Sequence, residues 1–117
     1  MNILILEDDP AQARSLEILL AEQGHRVYSF TDPQKAGSCV ISGLKADVLI
    51  LDYALPEITC DKWIEQYQPH IGLDSRIILI SGDTDKVTDL NLKNLGIRAF
   101  LPKPLRIDDL FEAIMSD

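Results

Sequence analysis

Five short apolar runs, ILIL at residues 3–6, RVYSF at 26–30, VLIL at 48–51, RIILI at 76–80 and RAFL at 98–101, recur along the chain with longer, more polar segments between them. That alternation is the mark of repeated βα units. Continuous apolar runs, rather than alternating ones, suit strands covered on both faces, which is the condition of a parallel sheet. The runs at 3–6 and 48–51 are closed by carboxylates: Glu7, Asp8 and Asp9 follow the first, Asp52 the second. Ligands of open α/β sheets sit beyond the carboxyl ends of the strands, so the pattern predicts an acidic pocket there.

The intervening segments carry helix punctuation. Asp9-Pro10 and Asp32-Pro33 each supply an N-cap followed by proline at the first helical position. The first helix is expected to run to Gly24 with Ala13, Leu16, Leu19 and Leu20 on its buried face, the second to about Gly43. A third is expected over residues 61–68, where Trp63, Ile64 and Tyr67 share a face before Pro69. Residues 84–95 are expected to form the fourth, chiefly because a parallel strand needs a crossover, with Gly96 as the stop. The fifth is the clearest: Ile107, Leu110, Phe111 and Ile114 stand at i, i+3, i+4 and i+7, behind Asp108 and Asp109 in the dipole-favoured first turn.

At 117 residues the chain is read as one domain, 1–117, able to bury a single core. Its net charge of −8, with 11 basic against 19 acidic residues, argues against nucleic-acid binding by this domain alone and points to a cation as ligand. Cys39 and Cys60 lack zinc or CxxC spacing, no signal peptide is recognisable, and no apolar stretch reaches bilayer-spanning length. The expectation is a reduced, cytoplasmic protein with no membrane association of its own.

Glu7, Asp8 and Asp52, with Ser81 after the fourth strand and Lys103-Pro104 after the fifth, all fall at carboxyl ends and converge in a right-handed α/β unit. Several carboxylates in one pocket repel one another unless a hard cation with oxygen ligands offsets them, and Mg²⁺ is the natural candidate. Asp9 reads as a helix cap more than as a metal ligand.

These motifs, ILILEDDP, VLILDYALP, ILISGD and FLPKPL, resemble the receiver domain of two-component response regulators over essentially the whole chain. The resemblance implies a flavodoxin-like (βα)5 fold, a doubly wound parallel sheet of strand order 2-1-3-4-5 in a three-layer sandwich. By the same resemblance Asp52 is the phosphoacceptor, taking a phosphoryl group from a sensor histidine kinase or phosphotransfer protein. Glu7, Asp8, Asp52 and the backbone carbonyl of Ala54 would hold Mg²⁺. Lys103 and Ser81 would contact the phosphoryl oxygens, and the Lys103-Pro104 bond would be cis. Ser81 and Phe100 would form the switch, altering a face made by the fourth helix, fifth strand and fifth helix, through which an output domain or protein, or a second copy in a homodimer, is engaged. The implied role is a switch that catalyses its own phosphorylation and dephosphorylation, with no turnover of a free substrate.

The chain departs from the family's pattern at four places. Thr59-Cys60 stands where an acid or Asn followed by Gly is common, so the loop after Asp52 is expected to be strained or differently shaped. Phe100 replaces a frequent Tyr, Ala54 offers no side chain to the pocket, and Asp83 adds an acid at its rim. A competing reading is therefore a non-switching receiver fold serving as a constitutive interaction module. A metal-dependent phosphatase or a flavin protein fits less well, since Ala54 is no acid and the first loop is not a phosphate cradle.

Overall fold

The computed structural model describes residues 1–88 and 90–116; Asp89 and Asp117 lie outside the described residues. The elements in chain order are β1 (Asn2–Leu6), α1 (Pro10–Glu22), β2 (Arg26–Phe30), α2 (Pro33–Ile41), β3 (Val48–Asp52), the two-residue strands β4 (Ala54–Leu55) and β5 (Ile58–Thr59), α3 (Cys60–Tyr67), β6 (Arg76–Ser81), α4 (Thr84–Thr88), β7 (Ile97–Pro102) and α5 (Ile107–Met115). A 3₁₀ turn, Gln68–His70, follows α3.

The five long strands form one parallel sheet, ordered β2-β1-β3-β6-β7. Once β4 and β5 are set aside, this is the expected order 2-1-3-4-5. The apolar runs are explained by what covers them. In β1, Ile3 and Ile5 face a core shared with Leu20 of α1 and Leu110 and Ile114 of α5. Leu4 and Leu6 point the other way, into a core with Ala36 and Val40 of α2, Trp63 and Ile64 of α3 and Val87 of α4. β3 and β6 split in the same manner, so helices lie on both faces and every residue of β3 is buried. Covering both faces removes any place for a polar residue until the strand ends.

The caps are as expected. Asp9 Oδ1 accepts the Ala11 N–H at 2.9 Å, and Asp32 Oδ1 accepts that of Gln34 at 2.9 Å. Gly24, Gly43 and Gly96 stop their segments with φ of 89°, 109° and 77°, values that suit a residue without Cβ. Asp9 is thereby committed to α1.

The fourth helix is shorter than the expected 84–95. α4 ends at Thr88, Asp89 lies outside the described residues, and residues 92–96 form turns. Leu90, Leu92 and Leu95 all pack against the α2–α4 core, and their spacing of two and three residues fits no single helical stripe. Asn91 also offers its side-chain oxygen to the Asn94 N–H at 3.3 Å, a local alternative to the helix.

The strain expected at Thr59-Cys60 in the loop after β3 is not found at either residue. Thr59 has φ −85°, and Cys60 is the fully buried first residue of α3. The positive φ, 66°, falls on Glu57, at the tip of the β4–β5 hairpin. Pro56 at i+1 and a left-handed residue at i+2 are the signature of a type II turn.

Candidate functional site

Each expected site residue arrives where its strand stops. β1 ends at Leu6 and delivers Glu7 and Asp8; Asp52 and Ser81 are the last residues of β3 and β6; Lys103 follows β7 and is joined to Pro104 by a cis peptide bond. Parallel registry aligns these ends: Leu6 pairs with Leu51, Asp52 with Ile80, and Ser81 with Pro102. A backbone bond from the Lys103 N–H to the Ser81 carbonyl, 2.9 Å, continues the pairing past the strand and aims the lysine across the sheet.

The carboxylates meet there. One oxygen from each of Glu7, Asp8 and Asp52 lies within 4.8 Å of the others. Glu7 and Asp52 are buried, 3% and 4% exposed, while Asp8 is exposed. Lys103 bridges the two buried acids, its Nζ 2.9 Å from Asp52 Oδ2 and 3.2 and 3.3 Å from the two oxygens of Glu7. The other oxygen of Asp52, Oδ1, accepts the Ala54 N–H at 3.2 Å.

The electrostatics follow from this packing. Burial first, then hydrogen bonding to Asp52 and the Asp52 charge, push the Glu7 carboxyl up to about 7 against the opposing pull of Lys103. Burial works against the Lys103 ammonium, but its hydrogen bond to Asp52 and the charges of Glu7 and Asp52 outweigh it and hold the lysine above its ordinary value. One lysine therefore serves two carboxylates and leaves net negative charge. The surplus, presented by hard oxygen donors, suits a divalent cation such as Mg²⁺.

A cleft of about 350 Å³ opens over the cluster, lined by Asp8, Asp52, Ala54, Ser81, Lys86 and Lys103 among others. Ser81, 2% exposed, has its hydroxyl engaged: Oγ accepts the Asp83 N–H at 3.0 Å and donates to the Asp83 carbonyl at 3.2 Å. Phe100 is half-buried on the β7 face that packs toward Val87 of α4, away from the α1 and α5 side. Its ring thus belongs to the core on the α2, α3 and α4 side of the sheet and does not line the cleft. Lys86 was not anticipated. A lysine in a weakly periodic segment carries no sequence signal, and only the rotation of α4 brings it to the lining of the cleft.

Fold and cleft define a flavodoxin-like α/β protein with a lysine-bridged acidic cluster at the carboxyl edge of its sheet, where the connections from β1 and β3 diverge to opposite faces. A family model described as the response regulator receiver domain matches residues 3–115. The chain is 32% identical over 114 residues to the response regulator ArlR of Staphylococcus haemolyticus, covering 97% of this chain and 50% of that protein. It is 26% identical over 114 residues to the transcriptional regulatory protein DltR of Streptococcus agalactiae, covering 97% and 50% respectively. The CheY-like response regulator receiver domain protein of Methanospirillum hungatei superposes with a TM-score of 0.86 at 22% identity, over 97% of this chain and 89% of that one.

The chain belongs to the response regulator receiver domain family of two-component signalling. It spans about half the length of the curated relatives it matches.

Proposed function

We propose that Asp52 is the phosphoacceptor of this receiver domain. What carries the reading is the Lys103 ammonium, 2.9 Å from Asp52 Oδ2 within a three-carboxylate cluster at the carboxyl edge of the sheet. An Asp52 oxygen attacks the phosphorus of a phosphohistidine on a sensor kinase or phosphotransfer protein; the new O–P bond forms as the P–N bond breaks, and the imidazole leaves with the electron pair. In-line transfer of this kind asks the protein mainly for position and charge neutralisation. Lys103 neutralises one phosphoryl oxygen, the Ala54 N–H holds Asp52 Oδ1 in place, and the Ser81 hydroxyl donates to another phosphoryl oxygen once it leaves Asp83.

Glu7, Asp8 and Asp52, with the Ala54 carbonyl, are the residues that would hold Mg²⁺. The bound ion would supply charge neutralisation and orientation at the phosphoryl oxygens. Phosphorylation would redraw the Ser81–Asp83 contact beside α4, and Phe100, packed toward the same helix, would shift with it. The α4, β7 and α5 face is then the surface on which an output domain, a partner protein or a second copy reads the state. The domain acts on its own side chain rather than on a free substrate. Among the described residues no helix is long and apolar enough to cross a membrane, and both cysteines are free thiols, which fits a cytoplasmic role.

Acetyl phosphate with Mg²⁺ should add one phosphoryl group, seen by intact mass, and beryllofluoride should bind only when Mg²⁺ is present. Asp52→Asn should lose both responses. An unchanged response in that variant would remove Asp52 from the mechanism. Retention of all five pocket residues, Glu7, Asp8, Asp52, Ser81 and Lys103, at the carboxyl edge of one sheet argues against a constitutive interaction module, for which spectra with and without phosphodonor would be identical.

A further inference from the structure

We infer that Lys86 is a second cation for the phosphoryl group, carried by α4, and that it ties phosphorylation of Asp52 to the position of that helix. The inference rests on the assignment of Asp52 as acceptor.

The rotation of α4 is set by Val87, 3% exposed and packed into the core beneath the sheet. A residue one step away on a helix is turned by about 100°. That turn takes Lys86 off the core face and to the lip of the cleft that holds Asp52 and Lys103. Its side chain is exposed, and no carboxylate among the described residues lies within ion-pair distance of its ammonium. Lys103 differs in being already bound to Glu7 and Asp52. Among the described residues, the cleft thus contains one lysine committed to carboxylates and one that is not.

Phosphorylation changes the charge that must be met. A carboxylate is replaced by a phosphoryl group carrying about −1.5 to −2, while Glu7, Asp8 and Asp83 remain nearby. Lys103 meets that charge with a single ammonium that it also shares with Glu7. Lys86 has no such conflict, and its four-carbon stem lets the ammonium turn inward with little rearrangement.

Its backbone links the same event to Ser81. Asp83 Oδ1 accepts the Lys86 N–H at 3.3 Å, while the Asp83 backbone holds the Ser81 hydroxyl through both its N–H and its carbonyl. Ser81 has one hydroxyl proton, so donation to a phosphoryl oxygen means giving up the Asp83 carbonyl. Ser81 and Lys86 therefore approach the phosphoryl group from either side of Asp83, and both pull on the first turn of α4. A helix of five residues has little stability of its own to resist them.

The test is calorimetric titration of beryllofluoride in saturating Mg²⁺ into the wild type, Lys86→Gln and Lys86→Arg, with melting curves to verify folding. Because Lys86 is exposed, both variants should fold normally. Lys86→Gln should bind about three- to fivefold more weakly, the size expected for one solvent-exposed charge pair, and added salt should narrow the difference. Lys86→Arg should recover most of the affinity, and Mg²⁺ alone should bind Lys86→Gln no more weakly than the wild type. Equal beryllofluoride affinity in Lys86→Gln and wild type, or failure of arginine to restore it, would overturn the role of Lys86 and leave that of Asp52 standing. A wild type that binds no beryllofluoride would overturn both.

Discussion

The Lys103 ammonium lies 2.9 Å from Asp52 Oδ2 although the two residues are 51 positions apart, and the same nitrogen reaches Glu7 at 3.2 Å. Lys103 is in effect the counter-ion of the two buried acids. Removing it should leave the buried Asp52 carboxylate with no positive partner and push the Glu7 carboxyl further up, so that Glu7 takes up a proton. Lys103→Met is therefore expected to be destabilised by about 2 kcal/mol at neutral pH without divalent cation. That is below the ~3–5 kcal/mol of a fully buried pair, because the lysine side chain is 26% exposed. Mg²⁺ should recover most of the loss and should bind the variant more tightly than the wild type, since it no longer competes with an ammonium. Urea unfolding with and without Mg²⁺ checks both; a variant whose Mg²⁺ affinity falls would contradict this view of the pocket.

Gly37 lies buried in α2 under the ring of Tyr67, and a Cβ there would overlap the ring's Cζ and Oη. Tyr67 has little room to retreat, being 8% exposed with its ring centroid 4.9 Å from that of Trp63. Trp63 is in turn fixed by a 2.9 Å hydrogen bond from its indole N–H to the Pro33 carbonyl. Overpacking costs about 1–3 kcal/mol, against which alanine's helix propensity returns about 1 kcal/mol. Gly37→Ala should thus lower stability by up to about 2 kcal/mol despite being a better helix former. Combining it with Tyr67→Leu should give less than the sum of the two single losses in a double-mutant cycle. Additive losses would mean that the glycine is not there to seat the tyrosine.

Glu57 holds a φ of 66° at the tip of the β4–β5 hairpin, a region that costs a residue with a Cβ about 1–2 kcal/mol. Glycine pays back part of that gain through its freer unfolded chain, so Glu57→Gly is expected to raise stability by about 0.5–1 kcal/mol. Asn, which tolerates the left-handed region, should give a similar gain. Thermal unfolding of both variants checks this; a lower melting temperature in each would show that the glutamate side chain stabilises the turn by a contact that outweighs its strain.

The five long strands were legible because a sheet covered on both faces demands unbroken apolar runs, and Ile3 to Leu6 and Val48 to Leu51 obey that demand. The acidic cluster was legible for the complementary reason: Glu7 and Asp52 occupy the first positions at which those runs allow a charge. Two-residue strands carry no periodicity, so the β4–β5 hairpin left only Pro56 as a trace. The residue at positive φ could not be located by looking for a glycine, because Glu57 occupies it. α4 was overextended because Leu90, Leu92 and Leu95 supply core contacts from turns, and apolar content without a helical stripe does not distinguish the two. Lys86 was invisible because its meaning depends on how far α4 is rotated, which is fixed by the burial of its neighbour Val87.

Cys60 opens α3 with its side chain fully buried, and burial, followed by the charges of Asp61 and Asp52, pushes its thiol up from 9.0 to about 12. Two outcomes follow. At pH 8 in the folded protein a thiol reagent should modify the half-buried Cys39 and leave Cys60 untouched, whereas denaturant should expose both. The second concerns stability. In the unfolded chain Cys60 ionises near 9, in the folded one only near 12, so above pH 9 the unfolded state binds fewer protons and stability falls as pH rises through that window. Below pH 9 the thiol is protonated in both states and contributes no slope. Tyrosines and lysines titrate in the same range, so the comparison must be with Cys60→Ala, whose stability should decline less steeply between pH 9 and 11 while carrying a small cavity cost at every pH. Parallel curves for the two proteins, or labelling of both thiols without denaturant, would mean that Cys60 is reached by water through the loop beyond Asp52.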